Sequence, residues 1–420
     1  MASGAAALGQ RLLDEIHEEG LDELLHDLRA QNVSPADSHK SCLGVKDLDD
    51  LVDVFLAKRT EHQEASVAEH ASPSASRPAS NAQKEKPPVI EISSPNSGGG
   101  KSQLIYYLAA LCVLPSTFKG RKTGGRDGAV VLFDADGKLD IRRLYQIAQG
   151  VVWHSLRANT KVVAENATAE GPTMSENEMR SLLHDSLQHI HVFRPQTSSS
   201  LLATLRSLDK YLLDVTRHHS AARPLHAVLL DSASAFYWQD RMRDEVARTE
   251  EIGRSAVDIA NDRDQHKKFH MNVLYRDLAV ELRRIQSIFD CSLIFTTWGL
   301  FRAPRDRNAP YAHLWTGPPS FRPHLPPPWG KFANLRLVVQ RDAVRPYPVT
   351  SSLADIERDA PVRQAVVRQG KFSAWVDTWG KEDWPSGLIS ALRSMPENGG
   401  FPFWIREDGV FMDDLMSDVL

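Results

Sequence analysis

A chain of 420 residues with 50 basic and 54 acidic side chains carries a formal charge of −4. That balance excludes a strongly basic nucleic-acid module or an acidic solvating tail at whole-chain scale, so any contact with a polyanion has to be local. Hydrophobic residues at 42% and charged residues at 25% are globular proportions and allow one large domain with appendages or two domains.

No apolar run approaches the roughly 18 residues that mark a membrane span, and the opening segment carries Asp14, Glu15, Glu18 and Glu19 rather than a basic start. Secretion and membrane spanning are not expected. The cysteines Cys42, Cys112 and Cys291 are odd in number and far apart, which argues against a disulfide framework or a cysteine zinc site and for a reducing compartment.

In chain order, residues 9–31 place leucines and Ile16 near helical spacing among acids and Arg, so 1–61 reads as an N-terminal helical segment. Residues 62–87 turn to Ala, Ser, Pro, Gln and Glu, a composition with too little apolar surface to order itself, and read as a flexible linker. From Pro88 to the end, short apolar runs alternate with helix-length segments. Strands are expected at 89–93, 129–134, 189–193, 226–231 and 291–298, with helices at 101–113, 139–152, 199–217 and 267–289. This is the rhythm of an α/β fold with a mostly parallel central sheet flanked by helices. Beyond Gly299, Pro-rich loops lead to LRLVVQR, QAVVRQGKFSAWVDTW and FPFWIREDGVFM, which read as antiparallel strands turning at Gly370 and Gly409, so a mixed sheet is expected.

The strongest motif is VIEISSPNSGGGKSQLIYYLAAL, where a strand runs into a glycine-rich turn and then an apolar-periodic helix. This is the setting of a P-loop, and it predicts ATP and Mg2+ as ligands. Asn96, Ser97 and the amides of Gly98, Gly99 and Gly100 wrap phosphates, Lys101 reaches the terminal phosphates, Ser102 ligates Mg2+, and Gln103 follows in the helix's first turn. Pro95 stands where that motif has its first glycine, and its fixed φ predicts a distorted start to the turn. A plain Ser/Gly-rich loop is the blander alternative.

Such a site needs a second carboxylate on a neighbouring strand, and HAVLLDSASAF supplies Asp231 as a Mg2+ ligand. Two further strands separate it from the turn in sequence, which counts against a small-molecule kinase. The earlier of these ends in Asp134 and Asp136. Asp136 is the better candidate for orienting water as a catalytic base, while helix capping is the plainer reading of the pair.

With these pieces placed, the chain resembles the RecA-like recombinases and, among them, the eukaryotic recombinase paralogs. IEISSPNSGGGKSQLIYYLAALCVLP with VVLFDADGKLDIRRL, LLDSASAFYWQDR, and FWIREDGVF carry the resemblance, which runs unevenly over 88–420. It implies a RecA-like ATPase core with a C-terminal strand extension. It also implies a nuclear DNA-repair subunit that joins other recombinase-paralog proteins in a hetero-oligomer and assists homologous recombination on single-stranded or branched DNA at double-strand breaks and stalled forks. Two departures weaken the case for hydrolysis: the catalytic glutamate of the wider family is the shorter Asp136, and its Asn-Gln pair at the end of the fifth strand is Thr297-Trp298. The linker has no Phe-x-x-Ala plug, so a self-polymerising recombinase is disfavoured. An active DNA-dependent ATPase or strand-exchange enzyme and a nucleotide-free scaffold are the competing readings.

Lys119, Arg121, Lys122 and Arg126 in one loop, and Arg302, Arg305 and Arg307 in another, are candidate phosphate contacts or simply solvated charge. Phe236, Tyr237 and Trp238 are read as packing against the sheet or a partner rather than as a base-stacking platform. The histidine pairs lack metal-site spacing. Residues 239–266 show no clear period and are left as a loop ordered on binding or a helix of uncertain limits.

Overall fold

The computed structural model describes residues 43–68, 87–164, 174–250, 269–302, 319–342 and 352–413, with a few single positions between. The chain divides after Lys40. The part before that point, including the helices expected at 9–31, lies outside the described residues, as do Arg305, Arg307 and most of 251–268.

Nine strands form the principal sheet among the described residues. They are β1 Val89–Ser94, β2 Ala129–Asp134, β3 Ile190–Phe193, β4 Leu225–Asp231, β5 Ser292–Trp298, β6 Leu335–Arg341, β7 Lys371–Val376, β8 Phe401–Arg406 and β9 Gly409–Phe411. Their spatial order is β9-β8-β7-β6-β1-β5-β4-β2-β3. The six from β6 to β3 run parallel, and β7, β8 and β9 extend the sheet antiparallel. Continuous apolar runs suit the parallel part because helices cover both faces, and β1 and β2 are buried at every position.

Alternation along the strands divides the interior in two. Ile90, Ile92, Val130 and Leu132 face a core shared with α2 Lys101–Val113, α3 Ile141–Ala164 and α4 Glu176–Leu187. Val89, Val131 and Phe133 face a second core shared with α5 Ser198–Leu213, α7 Met271–Phe289 and Trp329. Between these helices, α6 Tyr237–Glu250 follows β4, which gives the first part of the 239–266 segment helical limits. It is tied down at both ends of its buried face: Asp240 accepts from Ser198 Oγ at the start of α5, and Asp244 Oδ1 accepts from Met271 N at the start of α7 at 3.0 Å.

Three expectations are corrected. A helix α1, Lys46–Ala68, crosses the boundary expected at residue 62, and Leu48, Leu51, Val52 and Phe55 on it are buried in the first core. Residues 43–57 therefore belong with the sheet rather than with a separate segment. The QAVVRQ stretch is the end of a helix, α8 Leu353–Gln369, and Gly370 is its left-handed C-cap at φ 64° rather than a hairpin turn. A capping box from Ser352 and Asp355 starts that helix, which outweighs the β-branched residues on an element with no buried side chain. The hairpin at Gly409 is present, joining β8 to β9.

Candidate functional site

The parallel strands bring their carboxyl ends to one side of the sheet, where ligands of open α/β folds bind. A cleft of about 600 Å³ opens there, and Asn96, Ser97, Gly98, Gly99, Gly100, Lys101, Ser102, Gln103, Asp136 and Asp231 all line it.

Each glycine has its own reason. Gly98 and Gly100 hold left-handed φ of 75° and 97°, which side chains resist. At Gly99 a Cβ would lie 1.8 Å from Ser94 Oγ and 3.2 Å from the Val339 carbonyl oxygen. The turn thus lies against the ends of β1 and β6 with room for backbone alone. Helix α2 begins at Lys101 with Gly100 as N-cap and no side-chain cap, so its first amides and dipole end face the cleft. Pro95 does not prevent this geometry: Ser94 Oγ donates to the Asn96 carbonyl at 2.7 Å and turns the chain ahead of the glycines.

Lys101 and Ser102 are half-buried. Burial lowers the Lys101 pKa, and the charges of Asp231 and Asp136 oppose that shift. Asp231 Oδ1 accepts from Thr296 Oγ1 at 2.6 Å, which fixes the carboxylate at the end of β4. The peptide between Asp231 and Ser232 is cis.

The acidic pair at the end of β2 divides its work. Asp134 is buried and accepts from Lys138 N at 2.8 Å, Leu139 N at 3.2 Å and Arg194 Nε at 2.9 Å. Asp140 precedes α3 and accepts from the amides of Arg142 and Arg143 at 3.0 and 3.1 Å. Asp140 thus caps α3, while Asp134 holds the turn ahead of that helix. Asp136 faces the cleft, with Lys138 Nζ 3.9 Å away. Its pKa is raised, first by burial and then by Asp231 and Asp134, against the pull of Lys138 and Lys101.

Thr297 turns into the interior. Its Oγ1 donates to Glu91 Oε1 at 2.7 Å, and Glu91 pairs with Arg336 at 2.8 Å, which also lies 3.3 Å from Asp377. Trp298 lines the cleft beside Leu300. Sequence reasoning missed Phe372 and Ile405, which wall the cleft from the antiparallel extension. A Cβ on Gly100 would meet their side chains at 3.0 and 3.2 Å. Only the resemblance of the FWIREDGVF segment hinted at this.

Elsewhere, Phe236 and Tyr237 are buried and Trp238 is half-exposed, with the Arg241 guanidinium 5.7 Å from its ring. His189 Nδ1 and His191 Nε2 each lie 2.9 Å from Ser220 Oγ, and burial lowers both pKa values, that of His191 to about 4. Lys119 pairs with Glu178 at 2.7 Å. No helix among the described residues is long and apolar enough to cross a membrane.

A mostly parallel sheet flanked by helices, with antiparallel C-terminal strands and a glycine-rich turn at the end of its central strand, is the architecture of a RecA-like α/β protein. No protein-family profile matches the chain. It is 19% identical over 278 residues to the DNA repair protein XRCC2 homolog of Arabidopsis thaliana, across 61% of this chain and 69% of that protein. It is 30% identical over 157 residues to DNA repair protein XRCC2 of Mus musculus, across 37% of this chain and 42% of that protein, less than half its length. The chain is thus similar in sequence to two proteins named for DNA repair.

Proposed function

We propose that this chain is a DNA repair protein of the recombinase-paralog family. It is a nuclear subunit of a hetero-oligomeric paralog assembly that assists homologous recombination at double-strand breaks and stalled forks, meeting single-stranded or branched DNA through that assembly. Its cleft holds ATP with Mg2+ mainly as an element of assembly. The names of the relatives support the repair role. One observation carries the nucleotide reading: an uncapped helix start, Lys101 and the carboxylates of Asp231 and Asp136 converge on one cleft beside a turn that admits no Cβ at Gly99. In this reading the amides of Gly98 to Gly100 hold phosphate oxygens, Lys101 neutralises them, and Ser102 with Asp231 holds Mg2+. When bound there, the metal would supply neutralisation of phosphate charge.

The test is equilibrium binding of a fluorescent ATP analogue with Mg2+ to the wild type and to Lys101→Ala, with and without single-stranded DNA. Saturable binding that the substitution abolishes is the expected result. Absence of binding in both proteins overturns the nucleotide reading and leaves a scaffold, for which partner pull-downs are the next measurement. A second reading, slow ATP hydrolysis, is favoured by the Asp136 carboxylate lining the cleft while Asp134 is held by the turn. Turnover above background that falls on Asp136→Asn would establish it.

A further inference from the structure

The guanidinium of Arg143, near the start of α3, gathers acceptors from two places far apart in sequence. Its Nε donates to Gln103 Oε1 at 2.7 Å. Its terminal nitrogens donate to the carbonyls of Glu407 at 2.7 Å, Arg406 at 2.6 Å and Gly409 at 3.2 Å. Gln103 lies in the first turn of α2 and lines the cleft. The three carbonyls belong to the tip of the β8-β9 hairpin, and Ile405, one residue earlier, lines the same cleft. Gly150 on α3 lets the tip approach, since a Cβ there would lie 2.5 Å from the Asp408 carbonyl oxygen.

We propose that Arg143 is a positioning residue that couples occupancy of the glycine-rich turn to the C-terminal hairpin. Resting on the nucleotide reading above, this adds a regulated element to the same site: a nucleoside triphosphate seated on the turn fixes the first turn of α2, and Gln103 and Arg143 pass that ordering to residues 401–411. The planar fork suits the role because one group spans Gln103 and three carbonyls at once, which a lysine cannot do. Coupling is reciprocal, so a hairpin held by Arg143 also tightens nucleotide binding.

The experiment is amide hydrogen exchange over 401–411 in the full chain, with and without saturating Mg2+ and a nonhydrolysable ATP analogue, for the wild type, Gln103→Ala and Arg143→Ala, alongside each protein's Kd. In the wild type the analogue slows exchange in the hairpin. Gln103→Ala keeps the three hairpin bonds of Arg143 but loses the ligand-induced slowing. Arg143→Ala exchanges faster without ligand and binds about tenfold more weakly, within the usual range of coupling between sites. Slowing that persists in Gln103→Ala overturns the coupling, and unchanged affinity in a folded Arg143→Ala overturns the positioning role. If Arg143→Ala does not fold, Gln103→Ala decides. A wild type that binds the analogue without slowing the hairpin sinks this proposal alone, whereas a wild type that binds nothing sinks the nucleotide reading with it.

Discussion

Two aspartates separated by one residue, the first closing β2 and the second just past it, are given opposite duties by their surroundings. Asp134 is buried and its acceptors are used by two amides and Arg194, so Asp134→Ala should cost about 2 kcal/mol, the scale of charged hydrogen bonds, read as a fall in the urea midpoint. Asp136 carries a carboxylate that its site disfavours. Its folded pKa lies above the ordinary 3.8, so the native state binds more protons than the unfolded chain between those two values, and the ionised group costs stability above them. Asp136→Asn should therefore stabilise the protein at pH 7, with the gain shrinking as pH falls and gone below about 3.8. Chemical denaturation at pH 7 and pH 3 reads this, and equal stability of both proteins at pH 7 would contradict it. Of the site's side chains, those from Asn96 to Gln103 and Asp231 were legible because each sits in a local motif whose chemistry dictates its spacing. Phe372 and Ile405 were not, because they reach Gly100 only through the pairing of distant strands.

Helix α1 shows how composition misleads at the scale of elements. The polar residues past 57 obscured an apolar face on which Phe55, 2% exposed, meets the Trp384 ring edge-on at 5.5 Å. Phe55→Ala should lose about 3 kcal/mol or more, the range for buried Phe truncations, in thermal or urea unfolding. A change near zero would return 43–57 to a separate segment. Helices α4 and α8 carried a readable signal, since capping boxes at Ser175 with Glu178 and at Ser352 with Asp355 mark their starts. Period alone failed for α8 because the helix buries nothing, so no apolar stripe is imposed on its sequence. β1, β2 and most of α2 were legible for the opposite reason: their burial favours apolar runs.

Across the whole molecule, the three-residue β9 closes one end of the sheet. A short terminal strand limits edge-to-edge pairing. A chain stopped after Arg406 leaves β8 as the edge, with Phe403 and Trp404 on it. Light scattering should then report self-association at concentrations where the full chain stays dispersed, and a monodisperse truncation would argue against that protective role.

The order of the strands also bears on how the protein is made. β1 lies at the middle of the sheet and carries the glycine-rich turn, yet the wall over Gly100 includes Ile405 from β8, which comes late in chain order among the strands of this sheet. A nascent chain on the ribosome can pair β1, β5, β4, β2 and β3 while the cleft still lacks that wall. Long-range closure of this kind comes late in folding. A prematurely terminated product therefore retains most of a sheet, and its exposed apolar faces are the kind that chaperones hold, but it does not have a finished cleft.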